Sequence, residues 1–244
     1  MLRFLCRRAR PRTDAPEPGL KALLRKSPAE IEALLAGDPA QAARWVQAAA
    51  RAGLGAAQLR LGRMKLEGAG LPKDEAGAWR WFMVAARDGD AEAMNMVGRC
   101  HENGWGVPLD FAQAAIWYRR AAERDEPWAQ YNLGHLLLDG NGVARDYAAA
   151  LAWYQRAAAQ GHARAMNLVA VCHENGWGTP RSPAHAVAWY RRSAEAGYFR
   201  GAYNYATLLL AAGRFIEAKA WFRRAATHGT PAVQARVEAV LAPL

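Results

Sequence analysis

The chain has 244 residues, 52% of them apolar, and a formal net charge of +10. That is ample material for a core, and a basic balance of this size asks for acidic partners such as nucleic acid, anionic lipid or an acidic protein. Three cysteines exclude a disulfide framework and suit a reducing compartment, and no apolar run reaches the roughly 18–20 residues of a membrane span.

The charge is concentrated at the start. Arg3, Arg7, Arg8, Arg10 and Arg12 precede the first acid, Asp14, and Pro11, Pro16 and Pro18 stand among the charges. Residues 1–18 are therefore expected to form a disordered basic arm. Met1 to Cys6 has no apolar h-region before the arginines, which argues against a cleaved secretory signal. The arginine-rich, acid-poor start is shared with organelle transit peptides, but it is short and rich in proline. Phe4, Leu5 and the arginines offer a weak contact with an anionic membrane or an acidic protein, since stable anchoring takes two signals.

Residues 19–54 hold Leu20, Leu23, Leu24, Ile31, Leu34 and Leu35, which read as one or two short capping helices before a partial repeat around Trp45. From there a period governs the chain. Trp45, Trp81, Trp117, Trp153 and Trp189 are each 36 residues apart, and Trp221 follows after 32. Gly62, Gly98, Gly134, Ala170 and Ala206 keep the same step, as do Ala78, Ala114, Ala150 and Ala186. A fixed period of this length is the signature of stacked units, each burying its faces against the next.

One unit shows the design. Ala129, Leu133, Leu136 and Gly140 fall on one face of a helix. Asp139-Gly140-Asn141-Gly142 breaks it with residues that tolerate positive φ. Asp146 is placed to cap a second helix bearing Ala150, Trp153, Tyr154, Ala157 and Ala158, which Gly161 ends. Small residues such as Gly98, Ala114 and Ala121 let the two helices approach, and Trp117 and Tyr118 fill the space around them. Residues 55–230 thus read as five such hairpins, the last shortened by four loop residues, and residues 231–244 as a capping helix with Val233, Val237, Val240 and Leu241 facing the last unit. The fold class is all-α, an α-solenoid of stacked helix-turn-helix hairpins.

The units alternate. Residues 91–126 and 163–198 agree at 21 of 36 positions, and Cys100-His101-Glu102-Asn103-Gly104-Trp105-Gly106 returns unchanged at 172–178. The unit between lacks it. The first helices alternate Asn95, Tyr131, Asn167, Tyr203 and, one residue on, Met96, Asn132, Leu168, Asn204. Duplication of a two-unit block explains this, and so does a repetitive ligand read at every second unit.

The doubled Cys-His-Glu offers metal donors, but consecutive helical residues point about 100° apart and cannot converge on one ion. Cys100 and Cys172 align with Met64, Leu136 and Leu208, a core position, and His101 and His173 are expected half-buried where the hairpin closes. No metal and no cofactor is expected. Nor is there a Gly-x-Ser-x-Gly elbow or a phosphate-cradling Gly-x-x-x-x-Gly-Lys loop, so no enzyme is expected. Arg119-Arg120, Gln155-Arg156, Arg191-Arg192 and Arg223-Arg224 read either as a basic stripe or as a solvated face whose long side chains cover the tryptophans.

Leu133-Gly134, Asp139-Gly140-Asn141-Gly142-Val143, Asp146-Tyr147, Ala150, Trp153-Tyr154 and Ala157-Ala158-Ala159-Gln160-Gly161 resemble the Sel1-like repeat, a relative of the tetratricopeptide repeat, over about residues 39–230. The resemblance implies an adaptor that assembles other proteins, in bacteria often at the cell envelope, binding a protein or peptide on the inner surface of the superhelix; the few cysteines favour a cytoplasmic scaffold, membrane-peripheral if the arm engages lipid. It places there Asn95, Arg99, Glu102 and Asn103, then Trp128, Tyr131, His135 and Asp139, then Arg164, Asn167, Glu174 and Asn175, then Arg200, Tyr203 and Thr207. Asparagine suits a bound backbone and tyrosine supplies contact area with few torsions. Two rivals stand beside this. One is a nucleic-acid or anionic-surface module, against which no recognised docking motif is present. The other is an enzyme of cell-wall or β-lactam chemistry, an activity attributed to some relatives, which needs a polar pocket the repeat does not supply. The family's cysteine-rich branch carries a cysteine pair in each repeat; this chain does not. The sequence leaves the oligomeric state open.

Overall fold

The computed structural model describes Ala22 and residues 25–242. The basic arm expected at 1–18, with Leu20, Leu23 and Leu24, lies outside the described residues.

Among these residues there are thirteen helices and no strand. A capping helix α1 (Pro28–Ala36) leads into α2 (Pro39–Arg51). Five hairpins follow: α3 (Gly55–Glu67) with α4 (Glu75–Arg87), α5 (Ala91–Asn103) with α6 (Phe111–Ala122), α7 (Pro127–Asp139) with α8 (Tyr147–Ala159), α9 (Ala163–Asn175) with α10 (Pro183–Glu195), and α11 (Phe199–Ala211) with α12 (Phe215–His228). Helix α13 (Pro231–Leu241) closes the stack. It buries Val237, and Val233, Val240 and Leu241 pack beside it.

Each helix packs on the next, and first helices of neighbouring units also touch, α5 on α7 and α9 on α11. Second helices make no comparable contact among the described residues, so the first helices form the shorter, inner layer of a curved stack.

Local chemistry sets the boundaries. Asp74, Asp110, Asp146 and Ser182 cap the second helices by accepting the backbone N–H three residues on, Asp146 from Ala149 at 2.9 Å. The same four residues donate their own N–H to the first helix of their hairpin, Asp110 to the His101 carbonyl at 2.8 Å and Asp146 to Leu137 at 2.9 Å. A backbone clasp therefore closes each long hairpin. The loops 68–74, 104–110, 140–146 and 176–182 each separate their helices by the same length, whereas 212–214 is four residues shorter.

The repeating small residue has a steric cause. A β-carbon on Gly62 would stand 2.4 Å from the Phe82 ring, and one on Gly134 2.5 Å from the Tyr154 ring. A second glycine acts between units. Gly106 has φ +70°, and a β-carbon there would lie 2.4 Å from the Glu75–Ala76 backbone at the start of the preceding unit's second helix. Gly70, Gly142 and Gly178 press in the same way on Pro39–Ala40, Phe111–Ala112 and Tyr147–Ala148. In the shortened loop, Gly213 meets nothing within 4 Å.

The two-unit alternation is seated in the interior. Asn132 donates to the Asn95 Oδ1 at 3.0 Å, and Asn204 donates to the Asn167 Oδ1 at the same distance. The Tyr118 hydroxyl donates to Glu102 at 2.5 Å and Tyr190 to Glu174 at 2.6 Å, whereas the Tyr154 hydroxyl, with Leu138 at the matching place, has no partner. Gln58 and Gln130 donate to the Ala50 and Ala122 carbonyls, where the alternate units carry Met94 and Met166. Two kinds of seam thus take turns along the stack.

Candidate functional site

The inner face is built from first-helix side chains, and the fifteen expected residues divide sharply on it. Asn95 and Asn167 are only 5% and 7% exposed, and each is engaged by the asparagine of the next unit. The expectation that they face a bound chain fails, because the hairpin stack seals them into a seam. Glu102 and Glu174 likewise turn into their own hairpins to accept from Tyr118 and Tyr190. Asn103 and Asn175 are exposed, but their amides bond back to the Arg99 and Val171 carbonyls at 2.9 Å. Arg99 lies over the Trp105 ring at 5.1 Å. Asp139 and Thr207 are exposed, Thr207 bonding back to the Tyr203 carbonyl.

Trp128, Tyr131, His135 and Arg164 come together. Trp128 is 44% exposed and meets Tyr131 edge-on at 6.1 Å and His162 edge-on at 4.4 Å between ring centroids. Tyr131 packs on His135 at 4.6 Å and on His162 at 4.9 Å. The Arg164 guanidinium lies 5.2 Å from the Trp128 ring and 5.8 Å from the Tyr198 ring. Arg200 lies over Phe199 at 5.9 Å, and Arg236, from α13, over Tyr203 at 5.6 Å. Burial and the neighbouring Tyr198 phenol push the Tyr131 hydroxyl up, against the pull of Arg164 and Arg200. Residues of three successive units therefore meet at one place.

His162 and Tyr198 went unnoticed in the sequence. They occupy the N-cap position of the first helix, which runs Leu54, Asp90, Glu126, His162, Tyr198 at the repeat's period, so the signal was present. His162 caps α9 through Nδ1, which accepts from the Ala165 N–H at 3.1 Å, so Nε2 carries the proton of the neutral ring. Burial, helped by Arg164, holds its pKa down at about 4. Burial also lowers His135, against Asp139 and Glu102.

The outer layer answers the question of the arginine pairs. Arg120 lies over Trp117 at 4.8 Å, Arg156 over Trp153 at 4.7 Å, Arg192 over Trp189 at 4.0 Å and Arg224 over Trp221 at 4.7 Å. The second residue of each pair, an arginine in all four, covers a half-buried indole. Cys100 and Cys172 are buried free thiols, pushed by burial up to about 12 and about 11, values that make them inert at neutral pH. His101 and His173 are half-buried, and it is their carbonyls that close the hairpins. Among the described residues no group of three or more His, Cys, Asp or Glu gathers to hold a metal ion, and no helix is long and apolar enough to cross a membrane.

Curved stacks of two-helix units, each with a small residue against a buried ring, define the α-solenoid repeat proteins. The chain belongs to the Sel1 repeat family, whose model matches residues 34–54, 55–90, 91–126, 129–162, 163–198 and 201–230. Among solved structures it is similar to a Sel1 repeat protein from Oxalobacter formigenes, at 29% identity and a TM-score of 0.80, covering 88% of this chain and 89% of that one. It is also similar to c5321, a protective antigen of uropathogenic Escherichia coli strains displaying an SLR fold, at 28% identity and a TM-score of 0.74. There 87% of this chain is covered but only 47% of the antigen, so the chain spans about half that protein's length. The immunity protein Pa5087 from Pseudomonas aeruginosa shares the fold at 15% identity and a TM-score of 0.52, over 72% of this chain and 69% of its own. A comparison with curated proteins gives no match.

Proposed function

We propose that this protein is a non-enzymatic, cytoplasmic adaptor that holds a segment of another protein in the trough lined by its first helices. Sel1 repeat proteins generally act in protein–protein interaction. The observation that carries the reading for this chain is Trp128, a large indole left 44% exposed on the inner face beside Arg164. Exposed indole and guanidinium together are the composition of interface anchors. Buried free thiols suit a reducing compartment.

The test is site-specific photo-crosslinking in cells. A photoreactive phenylalanine analogue at Asp139 or Thr207, both exposed on first helices, is expected to trap a discrete protein partner. The same analogue at Ala152 or Ala188, exposed on second helices, is expected to trap none. Equal or stronger trapping from the second helices would overturn the trough as the binding surface.

A further inference from the structure

Among the described residues six ion pairs outside this region neutralise their cations: Arg63 with Glu92, Lys65 with Asp74, Lys73 with Glu75, Arg156 with Asp125, Arg191 with Glu195 and Arg214 with Glu217. Arg164 and Arg200 differ. Both are exposed, and among the described residues neither has a carboxylate within ion-pair distance. Their ring contacts use the flat faces of the guanidinium, and Arg164 also bonds the Tyr131 hydroxyl, which leaves the remaining edge N–H donors of the two side chains for an in-plane acceptor. Glu126, the carboxylate nearest in sequence to Trp128, is turned to the Ala129 N–H as the cap of α7.

The surroundings are shaped for an extended chain. Trp128, Arg164, Tyr198, Gly161 and Gly197 line an open groove. A β-carbon on either glycine would meet nothing within 4 Å, so a ligand backbone can run close over both. Trp128 at one end offers an apolar face, and Tyr131 with Tyr198 flanks the two cations.

Resting on the adaptor reading above, we propose that this groove docks an acidic protein segment, its carboxylates on Arg164 and Arg200 and an aromatic side chain against Trp128. Charge complementarity identifies the occupant. Two unpaired guanidiniums call for carboxylates, and the exposed indole between first helices calls for a flat apolar group beside them. Single-stranded nucleic acid would also set phosphates on the arginines and a base on Trp128, but the chain carries no recognised nucleic-acid docking motif.

The probe is a fluorescein-labelled random copolymer of glutamate and tyrosine, titrated against the full chain by fluorescence anisotropy. The double variant Arg164→Ala/Arg200→Ala is expected to weaken binding at least roughly tenfold, as is Trp128→Ala. Arg119→Ala/Arg223→Ala, which removes the same charge from exposed outer positions, is expected to change it by less than about twofold. Helical circular dichroism of each variant verifies the fold. Equal losses from the inner and outer pairs would reduce the effect to net charge and overturn the site, as would undiminished binding without Arg164 and Arg200 or no binding at all. Displacement of the copolymer by oligothymidylate but not by polyglutamate would overturn the protein occupant in favour of nucleic acid. Crosslinks at Asp139 and Thr207 that persist while the copolymer fails to bind would leave the adaptor standing and remove only the acidic partner.

Discussion

Tyr118 lies flat against Gly98, so close that a β-carbon on the glycine would stand 2.6 Å from the ring. The contact joins the two helices of one hairpin at its core, and its equivalents recur as Phe82 on Gly62 and Tyr154 on Gly134. In the last two units alanine takes the small position, and Ala170 and Ala206 are fully buried.

Gly98→Ala is therefore expected to destabilise the protein. Overpacking costs about 1–3 kcal/mol. Alanine's better helix propensity offsets about 1 kcal/mol of that. Urea denaturation reads the balance, and a gain in stability, the normal result of Gly→Ala in an exposed helix, would mean the helices can part at no cost.

The tyrosine hydroxyls give a paired contrast. Tyr118→Phe strands Glu102 and is expected to cost about 1.5–3 kcal/mol, the range for a hydrogen bond to a charged group. Tyr154→Phe removes a buried hydroxyl that has no partner and is expected to be neutral or mildly stabilising. Equal losses in the two variants would contradict the alternation of seams.

The asparagine bridges are expected to couple. In a double-mutant cycle on Asn95 and Asn132, each to Ala, the interaction term should be about 0.5–1.5 kcal/mol. The same cycle on Asn132 and Asn167, which lie in successive units but share no bond, should give a term near zero. Two indistinguishable values would show that the bridges add nothing specific.

His162 predicts a pH dependence. Its folded pKa of about 4 lies below the ordinary value near 6.5, so the unfolded chain binds the extra proton first. Its contribution to stability is complete above pH 6.5 and falls as the pH drops toward 4, because an imidazolium can neither accept the Ala165 N–H nor sit easily at a helix N-terminus beside Arg164. Asparagine caps helices without titrating, so His162→Asn should flatten the slope of the denaturation midpoint between those values. An unaltered slope would assign the effect to other groups.

The hairpins were legible because their determinants are local and periodic: an indole every 36 residues, small residues opposite, and caps at fixed offsets. The inner face was less so. Asn95 and Asn167 stand on first helices as Tyr131 and Tyr203 do, and only the stacking of the next unit decides that the asparagines are sealed while Tyr131 remains half-exposed. Glu102 looked like a solvent carboxylate until its helix was set against Tyr118. Trp128, Tyr131, Arg164 and Arg200 were named from the sequence, but their convergence depends on His162 and Tyr198, cap residues whose position in the repeat conceals how far their rings reach.

The shortened loop at 212–214 leaves one seam of the stack without the glycine wedge that locks the others. In a one-dimensional array the weakest interface sets where opening begins, so the terminal segment from Phe199 onward should breathe as a separate cooperative block, exchanging its amides ahead of the interior. Arg200 rides on that block, so this cation can shift to meet an incoming chain while Trp128 and Arg164, anchored in the fully wedged interior, stay fixed.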